Sequence, residues 1–168
     1  MENRIRPMEE SDLAQVLNWR NHPDIRCFMY STHEISLEEH AQWYQSVKQS
    51  SKHTVLIYEK NQTPTGFVSL TRKTCDEVAH WGFYLAPQAE KGTGYQLGKT
   101  ALTYAFNELN LHKVCGEALG FNNPSIRFHK KLGFKEEGFH KEQHFDGNTY
   151  HDVLSFGLLR AQWNNRKD

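Results

Sequence analysis

The stretch Gly82-Phe83-Tyr84-Leu85-Ala86-Pro87-Gln88-Ala89-Glu90-Lys91-Gly92-Thr93-Gly94-Tyr95-Gln96-Leu97-Gly98 passes from a β-rich run through a glycine loop into a helix-forming segment. Pro87 closes the run, because it brings no N–H to a strand ladder. Past the loop, Leu97, Ala101, Leu102, Ala105, Phe106 and Leu109 recur at helical spacing and predict a helix to about Asn110. A strand, a Gly-x-Gly loop and a helix start, in that order, suit an anion: glycines allow close approach, and first-turn N–H groups and the helix dipole attract phosphate. Taken alone, the two glycines are equally a plain turn. No Gly-Lys-Ser/Thr follows at Walker spacing, and no acidic residue sits where a Rossmann fingerprint requires one.

Upstream of this stretch, Val78 to Ala86 reads as a strand preceded by a hairpin of Thr54 to Glu59 and Gly66 to Arg72 around the turn Asn61-Gln62-Thr63-Pro64-Thr65-Gly66. Arg4 to Pro7 is a further strand. Asp12-x-x-Gln15 reads as a capping box opening a helix to about Arg20, which Asn21-His22-Pro23-Asp24 ends, and Ser36-x-x-Glu39 opens a second helix to about Ser50. Downstream, Lys113 to Leu119 is a strand. Asn123 is the expected N-cap of a helix with Pro124 in its first turn, and Gly133 its left-handed C-cap. Strands from about Glu136 to His144 and Tyr150 to Leu159 flank the turn Asp146-Gly147. The predicted order is β-α-α-β-β-β-α-β-α-β-β.

A chain of 168 residues with no internal repeat or linker predicts one domain spanning 1–168. Lys+Arg and Asp+Glu each number 20, so there is no global positive field for nucleic acid or a membrane surface, and neither is expected as a partner. The longest aliphatic stretch, Val55 to Tyr58, is far below the ~20 residues of a membrane span. Three cysteines without metal-type spacing, and an N-terminus without an apolar signal core, point to a reducing cytoplasm. The ten histidines are scattered, so no metal is expected.

Four patterns in this framework resemble the GCN5-related N-acetyltransferase (GNAT) family, which moves acetyl from acetyl-CoA to an amine. Gly82-Phe83-Tyr84-Leu85-Ala86-Pro87 is similar to its splayed central strand, and Glu90 to Gly98 to its pyrophosphate loop. Asn122-x-x-Ser125-x-x-x-His129-x-x-x-Gly133-Phe134 is similar to the helix that ends at the cofactor thiol, and Glu117 stands where many members carry a strand glutamate. The resemblance implies an α/β (α+β) fold with a mixed, mostly antiparallel sheet flanked by helices, and acetyl-CoA as co-substrate. It implies contacts to acetyl-CoA from Phe83, Tyr84, Leu85, Lys91, Gly92, Thr93, Gly94, Tyr95, Gln96 and Asn122, with oxyanion donors on the backbone around Phe83, Tyr84 and Leu85.

Two departures stand out. Ala89 replaces the Gln or Arg that usually opens the loop, which leaves the diphosphate to backbone donors and Lys91. His129 occupies the place of the tyrosine that protonates the departing thiolate. Its imidazolium would be the stronger acid, with an ordinary pKa of ~6.5 against ~10 for tyrosine; the opposing reading is a packed, partly buried histidine. Candidate bases are Glu117 and His80, each of which is equally readable as a solvated or hydrogen-bonded structural residue.

The N-terminal half carries the acceptor information. Trp19-Arg20-Asn21-His22-Pro23-Asp24-Ile25, Phe28-Met29-Tyr30-Ser31, Ile35-Ser36-Leu37-x-x-His40 and Ser69-Leu70-Thr71-Arg72 resemble a subfamily that acetylates UDP-4-amino-4,6-dideoxy-N-acetyl-altrosamine on the route to pseudaminic acid. That implies a nucleotide-sugar amine held by Arg20, His22, His40, Thr71 and Arg72, with Met29 and Tyr30 packing on uracil or sugar. Arginine forks suit phosphate, although Arg20 is equally a helix C-terminal cation and Arg72 a surface residue. Rival readings are a protein N-terminal or ribosomal-protein acetyltransferase of the same fold, and a non-catalytic GNAT module that binds CoA or a protein. The protein is expected as a monomer or homodimer.

Overall fold

The computed structural model describes residues 1–166. Seven strands form one sheet in the order β1-β2-β3-β4-β5-β7-β6: β1 (Asn3–Pro7), β2 (His53–Lys60), β3 (Thr63–Arg72), β4 (Val78–Leu85), β5 (Lys113–Leu119), β6 (Lys135–Phe145) and β7 (Tyr150–Leu159). Every neighbouring pair is antiparallel except β4 and β5. The helices are α1 (Leu13–Asn21), α2 (Pro23–Arg26), α3 (Leu37–Gln49), α4 (Thr93–Asn107), α5 (Asn123–Lys131) and α6 (Arg160–Asn164). The expected element order is present, with the short α2 and α6 added.

Alternation along the strands divides the core. Leu56, Tyr58, Val68, Leu70, Ala79 and Trp81 pack with Leu97, Leu102 and Phe106 of α4 on one face of the sheet. Ile57 and Phe67 pack with Val16 and Trp19 of α1 and Tyr44 and Val47 of α3 on the other. β2 is thus buried on both sides, and its continuous apolar run follows from that.

Local chemistry moves two of the expected caps. Asp12 does not cap α1 with its side chain. Its carboxylate accepts two bonds from the Arg6 guanidinium at 2.8 and 2.9 Å and one from the Glu9 N–H, while Arg6 Nε donates to Glu59. The N-cap of α5 is Asn122 rather than Asn123, its Oδ1 accepting the Ser125 N–H at 3.2 Å. Ser36 caps α3 as expected, and Gly133 closes α5 with φ of +97°.

Candidate active site

β4 and β5 pair only where Val78, Ala79 and His80 meet Lys113, Val114 and Cys115. Beyond His80 they diverge. The Ala86 N–H donates to Thr65 O, and Tyr84, Gly82 and His80 stand opposite Phe67, Ser69 and Thr71. By the alternation of an antiparallel ladder, the N–H groups of Tyr84 and Gly82 turn to β3, and those of Phe83 and Leu85 turn to the opening. The oxyanion donors expected around Phe83, Tyr84 and Leu85 therefore narrow to Phe83 and Leu85.

The opening belongs to a cleft of about 690 Å³ whose lining includes Gly94, Asn122, Ser125 and Phe128 at one end. Met29, Tyr30, Ser69, Thr71, Lys73, His80, Cys115 and Glu117 also line it. Opposed Thr71, His80 and Cys115 form one cross-strand row on this face, and Ser69 and Gly82 the next. Burial and the nearby Lys73, opposed by Glu117, push the His80 imidazole below its ordinary pKa and favour its neutral form. Burial raises the Cys115 thiol. The Tyr30 hydroxyl donates to Glu117 Oε2 at 2.5 Å, and the Tyr30 ring lies 4.9 Å from that of His144.

Gly92 is the N-cap of α4 with φ of +91°, and a Cβ there would meet nothing within 4 Å. The space before the helix is open. The Thr93 N–H is taken by Glu90 O, which leaves the first-turn N–H groups of Gly94 and Tyr95 without intrahelical acceptors. Thr93 Oγ1 is buried without a partner. These groups fit an acyl-CoA diphosphate. The side chains of Tyr95 and Gln96 go elsewhere, to a groove shared with Asn3 and Ile5, with Lys131 over the Tyr95 ring at 4.4 Å. Lys91 lines none of these cavities.

His129 departs furthest from expectation. It is 1% exposed, on the α5 face of the sheet, and a Cβ on Gly116 would come within 2.5 Å of its Nε2. That Nε2 accepts the Trp81 indole N–H at 3.0 Å, and Nδ1 donates to Ser125 O at 2.8 Å. Burial, opposed by the Ser125 carbonyl, lowers its pKa to about 4. It is a neutral core histidine with both nitrogens engaged, not a proton donor facing the cleft.

A second chamber of about 390 Å³ shares Phe67, Ser69, Thr71 and Tyr84 with the cleft and is also lined by Arg20, His40, Trp43 and His53. Arg20, His40 and Thr71 come together as expected. Arg20 Nη2 donates to Ser31 O at 2.7 Å, and Nη1 is shielded from solvent with no hydrogen-bond partner. Burial, opposed by Tyr84 and reinforced by Arg26, holds the guanidinium below its usual value. His40 is 4% exposed, stacks on Trp43 and donates Nε2–H to Leu13 O; burial lowers its pKa, so Nδ1 presents a lone pair rather than a proton.

Two residues expected at the acceptor lie outside both chambers. Arg72 falls on the other side of the β3 alternation from Thr71 and donates to Asp76 O and Thr54 Oγ1. His22 caps α2, its Nδ1 accepting the Asp24 N–H. Ser69, although part of a quoted motif, and Lys73, Trp43, His53 and Cys115 are given no site role by the sequence reading. The parity that puts Thr71 in the cleft also puts Ser69 there and was the signal available for it.

A family model described as "Acetyltransferase (GNAT) domain" matches residues 4–135. A spermidine N(1)-acetyltransferase of Vibrio cholerae is 25% identical over 167 residues, covering 98% of this chain and 96% of that one. An "Acetyltransferase PseH" of Campylobacter jejuni is 29% identical over 130 residues, covering 76% and 79%. The crystal structure of the Vibrio cholerae spermidine N-acetyltransferase in complex with CoA and spermine superposes with a TM-score of 0.88 at 26% identity, covering 97% and 98% of the two chains.

Proposed function

Because the chain belongs to the GNAT family and is an acetyl-CoA-dependent N-acetyltransferase, we propose that its acceptor is the 4-amine of a UDP-linked amino-dideoxy sugar. The observation that carries this reading is Arg20. Leaving a charged donor such as Arg20 Nη1 buried and unpaired costs about 1–3 kcal/mol or more, and in this reading an anion drawn against the guanidinium offsets part of that cost. A phosphate reaching the second chamber meets Arg20 and the hydroxyls of Ser69 and Thr71, while the one carboxylate in the lining, Glu39, is engaged by His33. The two chambers adjoin at Phe67, Ser69, Thr71 and Tyr84, and in this reading the sugar amine extends past these residues toward Glu117 and His80.

The amine attacks the thioester carbonyl as a neutral nucleophile and passes its proton to Glu117 or His80, directly or through a water. In this reading the N–H groups of Phe83 and Leu85, which face the opening between β4 and β5, receive the oxyanion. The leaving thiol has an ordinary pKa of ~8.5, so water suffices to protonate it and His129 is not required. Orientation by the two chambers supplies most of the acceleration, on the order of 7–11 kcal/mol in well-positioned systems.

A second reading, a polyamine acceptor, is supported by the likeness to spermidine acetyltransferases along nearly the whole chain and by Asp24 and Glu117 in the cleft lining. Thiol release from acetyl-CoA, measured across UDP- and dTDP-4-amino sugars, spermidine and peptide amines, separates the readings. Turnover of a UDP-amino sugar with kcat/KM at least about tenfold above spermidine is expected. Preference for spermidine overturns the sugar reading, and preference for peptides favours the protein acetyltransferase. Tight CoA binding without turnover of any amine leaves the non-catalytic module.

A further inference from the structure

Arg20 and Asn21 do more than face a ligand. Arg20 Nη2 donates to Ser31 O at 2.7 Å; Asn21 Nδ2 donates to Ile35 O at 2.8 Å, and Asn21 Oδ1 accepts the Ile35 N–H at 2.7 Å. These three bonds tie the end of α1 to the middle, at Ser31, and the C-terminal end, at Ile35, of the segment that joins α2 to α3. His22 caps α2 immediately before that segment. The run Arg20-Asn21-His22 is therefore an anchor for residues 27–36, and the segment it holds carries Tyr30. Tyr30 is 49% exposed, yet its hydroxyl is committed to Glu117, 87 positions away in sequence.

We propose that Tyr30 is a positioning residue for acetyl transfer: its hydroxyl, held by the Arg20-Asn21 anchor, orients the Glu117 carboxylate toward the acceptor amine. Glu117 is exposed on β5 and would otherwise sample several rotamers in solvent. One charge-assisted hydrogen bond from a short phenol, itself braced by His144, selects among them. One carboxylate oxygen, Oε1, remains for the amine. The inference rests on Glu117 acting as the proton acceptor, and on no particular acceptor molecule.

The test is a double-mutant cycle of Tyr30→Phe and Glu117→Gln, assayed by thiol release with a UDP-linked 4-amino-4,6-dideoxy sugar and with spermidine, alongside Asn21→Ala. Tyr30→Phe is expected to lower kcat about tenfold while leaving KM for acetyl-CoA within about twofold, and to have little further effect once Glu117 is Gln. Asn21→Ala is expected to reproduce the Tyr30→Phe loss. Independent, additive losses in the cycle overturn the proposal, as does a loss confined to KM for acetyl-CoA. Amide hydrogen exchange of residues 28–36 is read on the same proteins. A rise of about fivefold or more in Tyr30→Phe is expected, and unchanged exchange overturns the link between the segment and Glu117. A wild-type protein that turns over neither of these amines defeats the acceptor reading alone: the cycle is then read with whichever peptide amine or dTDP-4-amino sugar it does acetylate, and additive losses there overturn the proposal.

Discussion

With Nδ1–H tied to the Ser125 carbonyl and Nε2 filled by the Trp81 N–H, the imidazole of His129 has no room for a second ring proton, and its pKa sits at about 4. In the unfolded chain a histidine titrates at ~6.5. Between these two values the unfolded state binds a proton that the folded state refuses, so stability falls as pH drops from about 6.5 to about 4 and is fully present above. The loss from this one side chain is on the order of 3 kcal/mol. Burial depresses His40 and His80 in the same sense. Thermal melts between pH 7 and pH 4 are expected to show a steeper fall in Tm for the wild type than for His129→Phe. The variant is less stable at pH 7, since it leaves the Trp81 N–H unpaired at a cost of about 1–3 kcal/mol. Equal slopes would mean that His129 charges freely. The sequence put histidine at the family's tyrosine position, and residue identity alone suggested an acid. What no local pattern contained was the Trp81 indole on β4, packed against the ring on the same face of the sheet.

β5 crosses α5 where Gly116 faces His129 and Trp81, and a methyl group there would lie 2.5 Å from His129 Nε2 and 2.7 Å from Trp81 Nε1. Gly116→Ala is therefore expected to break that hydrogen bond and to destabilise the protein by about 1–3 kcal/mol, measured by denaturant unfolding, although β5 itself favours a side chain over glycine. A neutral or stabilising effect would show that α5 can shift away. The elements themselves were legible because their signals are local: β-rich runs bounded by turn residues for the strands, helical spacing after Gly94, Ser36 and Gly133 as caps. Asn122 and Asn123 are adjacent and both able to cap, and only the chain path selects Asn122, whose Oδ1 meets the Ser125 N–H. Arg72 follows Thr71, and strand alternation carries the two to opposite faces; reading both toward one ligand ignored that period. Tyr30 and Glu117 are joined by a contact between distant parts of the chain, which no local pattern encodes.

The molecule as a whole has no net charge, yet its charges are not evenly matched in space. Arg6 is neutralised by Asp12 and Glu59, Lys113 by Glu137 and Lys60 by Glu90. Arg20 has no carboxylate within ion-pair distance among the described residues, and it lies at the wall of the chamber next to the cleft. Together with the open N-terminus of α4, this is the basis for proposing two places where a neutral protein holds anions, one from backbone N–H groups and one from a guanidinium whose chamber also includes Glu39. No helix among the described residues is long and apolar enough to cross a membrane. The claim that the second chamber receives the anionic end of the acceptor is tested most directly by calorimetric titration of UDP into the wild type, Arg20→Ala and Asn21→Ala, with CoA titrated in parallel. UDP is expected to bind the wild type and to weaken by about tenfold or more in Arg20→Ala, the equivalent of one charge-assisted hydrogen bond. CoA affinity is expected to stay unchanged, and Asn21→Ala, which loosens the same segment without removing charge, is expected to keep most of the UDP affinity. UDP binding that is absent from the wild type, or equal in the wild type and Arg20→Ala, contradicts the account.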